Sequence, residues 1–208
     1  MALPSVDFLK PARSAAATDD FFDMKAILFL ISFFVAASLI AADPRLRPET
    51  WGRPVVSDRL DNWYQLDEKI YRASQPSRRG FEDAVKFGIK NVLNLRDNHS
   101  DNFEAKGLKI KLYRVEMEAD DVIEADWVTA LKIIKNADGP ILIHCWHGSD
   151  WTGLLCAMYR ITFQNWSKED AIDELINGGY DFHKMYDNLP GWIANVDVAK
   201  FKGKIFAP

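Results

Sequence analysis

At 208 residues, with 48% hydrophobic and 12% aromatic positions, the chain can build one domain with a full core and is too apolar for a disordered segment. Its formal charge of −4 and pI near 5.6 argue against nucleic acid or an anionic membrane surface as partner. Two cysteines, Cys145 and Cys156, are too few for a disulfide framework.

In chain order, the first element is the apolar run 26–42, preceded by Lys25 and ending in Ala41-Ala42-Asp43. Its 17 residues are barely enough to span a bilayer. A charged start and a small-residue end make 24–42 read as a secretory signal peptide, although Ile40 is larger than a cleavage site prefers. An uncleaved anchor is the alternative, and a buried core helix a third. Met24-Lys25 looks like the natural beginning, which makes 1–23 an overextended start. In both leading readings the domain lies outside the cytoplasm: periplasmic or secreted, or membrane-anchored. An oxidising compartment exposes any reactive thiol to oxidation.

Residues 43–60, with three Pro and four Arg, read as an extended arm. From 61 to 208 the punctuation is that of one domain. Lys69 to Arg72 is a short strand ended by Ser74-Gln75-Pro76. Ser77 caps a helix carrying Phe81, Ala84 and Val85 and stopped by Gly88. Asn91 to Leu95 is a strand, Arg96 to Asn102 a polar loop, and Leu112 to Met117 another strand. Trp127, Ala130, Leu131 and Ile134 fall at helical spacing. Ile141 to Ile143 is a strand, and Leu154 to Phe163 a helix with Leu154, Ala157, Met158 and Ile161 on one face. Ser167 opens a helix through Ile172, Leu175 and Ile176, closed by Gly178-Gly179, and a last segment near Trp192 to Phe201 reads as helical. Alternating strands and helices predict a three-layer α/β domain with a short, mostly parallel sheet flanked by helices. In such sheets ligands bind beyond the carboxyl ends of the strands.

The segment His144-Cys145-Trp146-His147-Gly148-Ser149-Asp150-Trp151-Thr152-Gly153 sits at that end. A strand, a loop of small residues and a helix start direct backbone N–H groups at one point, which makes an anion site. The segment resembles the phosphate loop of the cysteine-dependent protein tyrosine and dual-specificity phosphatases: His-Cys, five residues, Arg, Ser or Thr, then usually Gly. Ile70 to Pro76 and Phe87 to Arg96 are similar to bacterial dual-specificity-phosphatase-like proteins, and the similarity runs over about residues 60–195. The arginine position holds Trp151.

The resemblance implies that Cys145 is the nucleophile and forms a phosphocysteine, with His144 orienting the loop. It implies that the stretch Trp146, His147, Gly148, Ser149, Trp151 and Gly153 wraps the phosphate. It also implies that Thr152 hydrogen-bonds the Cys145 sulfur. The leaving oxygen needs a proton donor. Asp150 inside the loop and Asp121, placed where the family keeps a movable acid, are the candidates, with Asp150 slightly favoured. Asp120 and Asp121 otherwise read as a solvated loop or a cap.

An arginine holds two phosphate oxygens with a planar fork, whereas indole offers one neutral donor. Loss of one oxyanion donor costs about 10²–10³ in rate. Arg72, Arg78, Arg96 and His147 are possible substitutes, but no spacing singles one out. The ligand spacing fits no metal, no cofactor is implied, and His99 and His183 carry no motif and read as solvent-facing or capped. Cys156 reads as a small core residue or, alternatively, as a resolving thiol.

Three functions follow. The first is a weakened extracytoplasmic phosphomonoesterase acting on a phosphorylated protein or a small organic phosphate ester. The second is a pseudophosphatase that binds such a ligand without turnover. The third is a rhodanese-like sulfurtransferase. With no lysine between Cys145 and Trp151, inositol polyphosphates are the less favoured substrates.

Overall fold

The computed structural model describes residues 47–117 and 122–207. The segment 24–42 and Asp121 lie outside them. Among the described residues no helix is long and apolar enough to cross a membrane.

Four parallel strands form the body of the sheet: β3 (Ile70–Ala73), β4 (Asn91–Arg96), β5 (Lys111–Met117) and β6 (Ile141–His144). Two-residue strands β1 (Arg53–Pro54) and β2 (Tyr64–Gln65) add an antiparallel edge, giving the order β1-β2-β3-β6-β4-β5. These two-residue strands lie below the length at which alternation shows in a sequence, so no sequence pattern marks them. They draw the described part of the arm onto the domain, with Trp51 and Leu60 buried.

Local chemistry sets the element ends. Asp67 Oδ1 accepts from the N–H groups of Lys69 and Ile70 and starts β3. Helix α1 (Arg78–Phe87) is capped by Ser77 Oγ, which accepts from Gly80 N at 3.2 Å. It stops at Gly88, whose φ of 110° lets its N–H reach back to Ala84 and Val85. Helix α2 (Glu124–Asn136) buries Trp127, Ala130, Leu131 and Ile134. Helices α3 (Asp150–Phe163), α4 (Lys168–Asn177), α5 (Asn188–Asn195) and α6 (Val198–Phe206) complete the domain.

The period-two alternation of the strands divides the core into two layers. Ile70, Leu93, Leu95, Ile141 and Ile143 face α2 to α6, whereas Tyr71, Ala73, Val92 and Leu142 face α1. Each fully buried aliphatic side chain contributes about 1.5–3 kcal/mol. The register then positions the site. His144 pairs with Ala73 on one side and Asn94 on the other. The residues following these three, Ser74-Gln75, Cys145-Trp146 and Leu95-Arg96, therefore emerge side by side on one rim.

Candidate active site

Cys145 is the first residue beyond β6 and only 6% exposed. The chain then turns through Trp146 to Ser149. Gly148 adopts φ 73°, and a Cβ there would lie 2.3 Å from the Ala73 carbonyl oxygen, so the turn can press against β3 only with glycine. Helix α3 begins at Asp150, earlier than the sequence indicated, and Trp151, Thr152 and Gly153 belong to its first turn. Among the described residues, the N–H groups of Trp146, His147, Gly148 and Ser149 donate to no protein acceptor. Those of Asp150, Trp151 and Thr152 open a helix and lack intrahelical partners. Seven donors thus surround the end of β6 near Cys145, the arrangement of an anion nest.

A buried relay holds the loop from the side. His144 Nε2 bonds Asp101 Oδ2 at 2.9 Å, and its Nδ1 lies 3.2 Å from the Cys145 carbonyl oxygen. Asp101 Oδ1 accepts from Gln75 Nε2 at 2.9 Å, and Gln75 Oε1 accepts from Arg96 Nη1 at 3.0 Å. Gln75 N donates to the Trp146 carbonyl oxygen at 3.0 Å. Burial pushes the Asp101 carboxyl up, but bonds from His144 and Gln75 and the nearby His99 pull it further down, leaving it below the usual carboxylate range. Arg72 holds the loop from beneath. Fully buried in β3, it donates to the carbonyl oxygens of Gly148 and Ser149 and lies 3.7 Å from the Tyr180 ring centroid.

The tyrosine phosphatase family matches residues 59–188, which include all of this loop and its supports. The chain belongs to the tyrosine phosphatase family. It is 28% identical over 171 residues to the dual specificity protein phosphatase TpbA of Pseudomonas aeruginosa, covering 80% of this chain and 77% of that protein. It is 32% identical over 146 residues to the inositol diphosphatase SIW14 of Saccharomyces cerevisiae, covering 62% of this chain and 52% of that protein. The crystal structure of TpbA superposes with a TM-score of 0.70 at 25% identity, covering 76% of this chain and 98% of that one. The sulfurtransferase reading falls with the family match, and the chain is an enzyme of the phosphatase class.

Against the family's loop, this phosphatase departs most at Trp151. The indole is 9% exposed and packs with Trp127 and Tyr186 at centroid distances of 5.9 and 6.0 Å. The position that carries the family's charged fork is thus part of the apolar core on the α2 side. Thr152 also departs from expectation. Its buried Oγ1 has no hydrogen-bond partner among the described residues, so the bond to the Cys145 sulfur is not formed; Ser149 Oγ is likewise unpartnered. Gly153 serves packing, because the space of its missing Cβ is taken by Leu175 of α4.

Asp150 is buried and engaged by one residue. His183 donates its backbone N–H to Oδ1 at 2.9 Å, and its Nδ1 lies 2.8 Å from Oδ2. His183 in turn lies 5.2 Å from the His147 ring. His183 and His99, both read from sequence as solvent-facing or capped, belong to the site. They line a cavity of about 770 Å³ with Arg96, Trp146 and His147. A neighbouring hollow of about 290 Å³ holds Cys145, Asp150, Trp151 and Tyr186, and shares Arg96, Trp146 and His147 with the first.

His99, Asp101 and Glu104 present ligating atoms within 4.8 Å of one another. Both Asp101 oxygens are committed to His144 and Gln75, so an ion there would compete with the relay that orients the loop. Cys156 is buried in α3, and burial pushes its thiol up to about 11. That favours the core reading over the resolving thiol.

The sequence missed Asp101, Arg72 as a loop support, and His183. Each acts across 33 or more positions of chain. Arg72 alone left a trace, as a charge inside an otherwise apolar strand.

Proposed function

We propose that this domain is an extracytoplasmic cysteine-dependent phosphomonoesterase working at reduced rate. The observation that carries the reading is Cys145 at the carboxyl end of β6, beside the unengaged N–H groups of residues 146–149. The Cys145 thiolate attacks phosphorus in line; the S–P bond forms as the P–O ester bond breaks. The leaving oxygen takes a proton from Asp150, whose carboxyl pairs with His183, with Asp121 as the second candidate. Water then attacks the phosphocysteine and gives a proton back to the Asp150 carboxylate; the P–O bond forms as the S–P bond breaks, releasing inorganic phosphate and the thiolate.

The substrate is a phosphorylated protein or a small organic phosphate ester. TpbA is named a dual specificity protein phosphatase and SIW14 an inositol diphosphatase, so phosphate esters are common to the relatives. The larger cavity is lined by Arg96 and three histidines but also by Asp61, Glu104 and Asp181, a mixed charge that supports an ester of modest charge. The charged start, apolar run and small-residue end of 24–42 support export.

The test is hydrolysis of an aryl phosphate under reducing conditions, with Cys145→Ser as control. Slow turnover abolished by Cys145→Ser supports the reading. A second reading, ligand binding without turnover, draws on Trp151 and on the unpartnered Thr152 hydroxyl. It takes over if the parent and Trp151→Arg are both silent while phosphate still binds.

A further inference from the structure

We propose that Arg96, from the neighbouring strand β4, supplies the phosphate-binding charge that the loop lacks at Trp151. The inference rests on the phosphate-ester reading of the Cys145 site and names the residue that completes it.

Four side chains were open as substitutes, and the fold separates them. Arg72 is committed to the Gly148 and Ser149 carbonyl oxygens beneath the loop. Arg78 lies on the outside of α1, bonded to the Lys106 carbonyl oxygen and paired with Glu82. His147 lines both hollows, but its ring lacks a guanidinium's permanent charge and fork.

Arg96 meets each requirement. Strands β4 and β6 run parallel with Asn94 opposite His144, so two residues further Arg96 stands beside Trp146. Its guanidinium carbon lies 4.1 Å from the Trp146 ring centroid, and Nη1 donates to Gln75 at 3.0 Å. Stacking and that bond hold the plane of the fork. Its Nε and Nη2 have no acceptor among the described residues, leaving two donors. The side chain lines both the hollow containing Cys145 and the larger cavity. It is also near enough to Cys145 for the two charges to interact; Asp97, Asp101 and Glu104 surround it as well. Burial lowers its pKa from the ordinary value, though an arginine remains a cation across physiological pH.

The geometry gives a division of labour. Loop N–H groups receive phosphoryl oxygens from below, and Arg96 receives one from the β4 side, where the family's fork would rise from α3. A fork stacked on Trp146 and tied to Gln75 cannot curl around the phosphoryl group as a loop arginine does.

The experiment uses the full chain and two probes. Inorganic phosphate binding is measured by titration calorimetry on Cys145→Ser, and aryl phosphate turnover on the chain with Cys145 intact. Arg96→Ala is expected to lower phosphate affinity and turnover at least tenfold, and Arg96→Lys to restore part of both. Adding Trp151→Arg to Arg96→Ala should return most of the loss, because a loop fork takes over; a merely structural role for Arg96 would not give that rescue. Unchanged phosphate affinity in Arg96→Ala overturns the assignment, and persisting turnover then leaves the phosphatase reading standing. Arg96-dependent binding in a chain without turnover supports the assignment and removes the phosphatase reading. A loss in Arg96→Ala accompanied by a lower melting temperature and unrescued by Trp151→Arg makes Arg96 structural and overturns the assignment. A parent that binds no phosphate overturns both.

Discussion

Arg72 reaches from β3 to the underside of the Cys145 loop and donates to the carbonyl oxygens of Gly148 and Ser149. Pulling these carbonyls down turns the adjoining peptide N–H groups toward the opposite side. A buried cation beneath the loop therefore shapes the nest that an anion would meet from above.

Arg72→Met removes those donors; the buried Gly148 carbonyl is left unsatisfied, at about 1–3 kcal/mol, while the Ser149 carbonyl keeps only its bond from Gly153 N–H. The midpoint of urea unfolding is expected to fall, and turnover to fall with it as the loop relaxes. A variant with parental stability and parental rate would show that the loop holds its shape without Arg72.

Asp101 predicts a pH dependence. Its folded-state pKa lies below the unfolded value, so ionisation is favoured in the native state. The stabilisation is present in full above the ordinary carboxylate range, about pH 4. It is lost as pH falls through the depressed native value. Asp101→Asn should be less stable than the parent at pH 7, with the gap closing on acidification. Urea melts at pH 7, 5 and 3 measure it; a gap that widens toward acid contradicts the relay.

Trp151→Arg should separate activity from stability. The change removes an indole from contact with Trp127 and Tyr186, where truncation of a buried aromatic costs about 3–5 kcal/mol. It also supplies a fork worth about 10²–10³ in rate by analogy with an oxyanion donor. A faster enzyme that melts earlier is expected. Equal rates in parent and variant would mean that the existing cation already does the work of the loop arginine.

The two thiols should differ in reactivity. Cys156 is buried, and its thiol is pushed up to about 11 by burial, so at pH 7.5 almost none is thiolate. Cys145 lines a hollow within reach of Arg96. Mass spectrometry after brief iodoacetamide treatment of the native protein should find label on Cys145 alone. Label on Cys156, or a disulfide between the two, would restore the resolving-thiol reading.

The sequence by itself determined the order of the principal strands and helices, the caps at Ser77, Gly88 and Ser167, and the placement of Cys145 between a strand and a helix. These depend on residues within a few positions of one another: a hydroxyl and the N–H three residues on, a glycine free to take positive φ, an apolar side chain every second or every third to fourth place. The absence of arginine at 151 was equally legible, since it is a fact of composition. Only the tertiary structure decided what surrounds the loop. Asp101 meets His144 across 43 positions, His183 meets Asp150 across 33, and Arg96 meets Trp146 through the register of two strands separated by a strand and a helix in the chain. Such contacts follow from how elements stack in the sheet, and no local spacing records them. The same limit explains the Thr152 hydroxyl. Its side chain sits in the first turn of α3, and only the packing there could show that it has no hydrogen-bond partner.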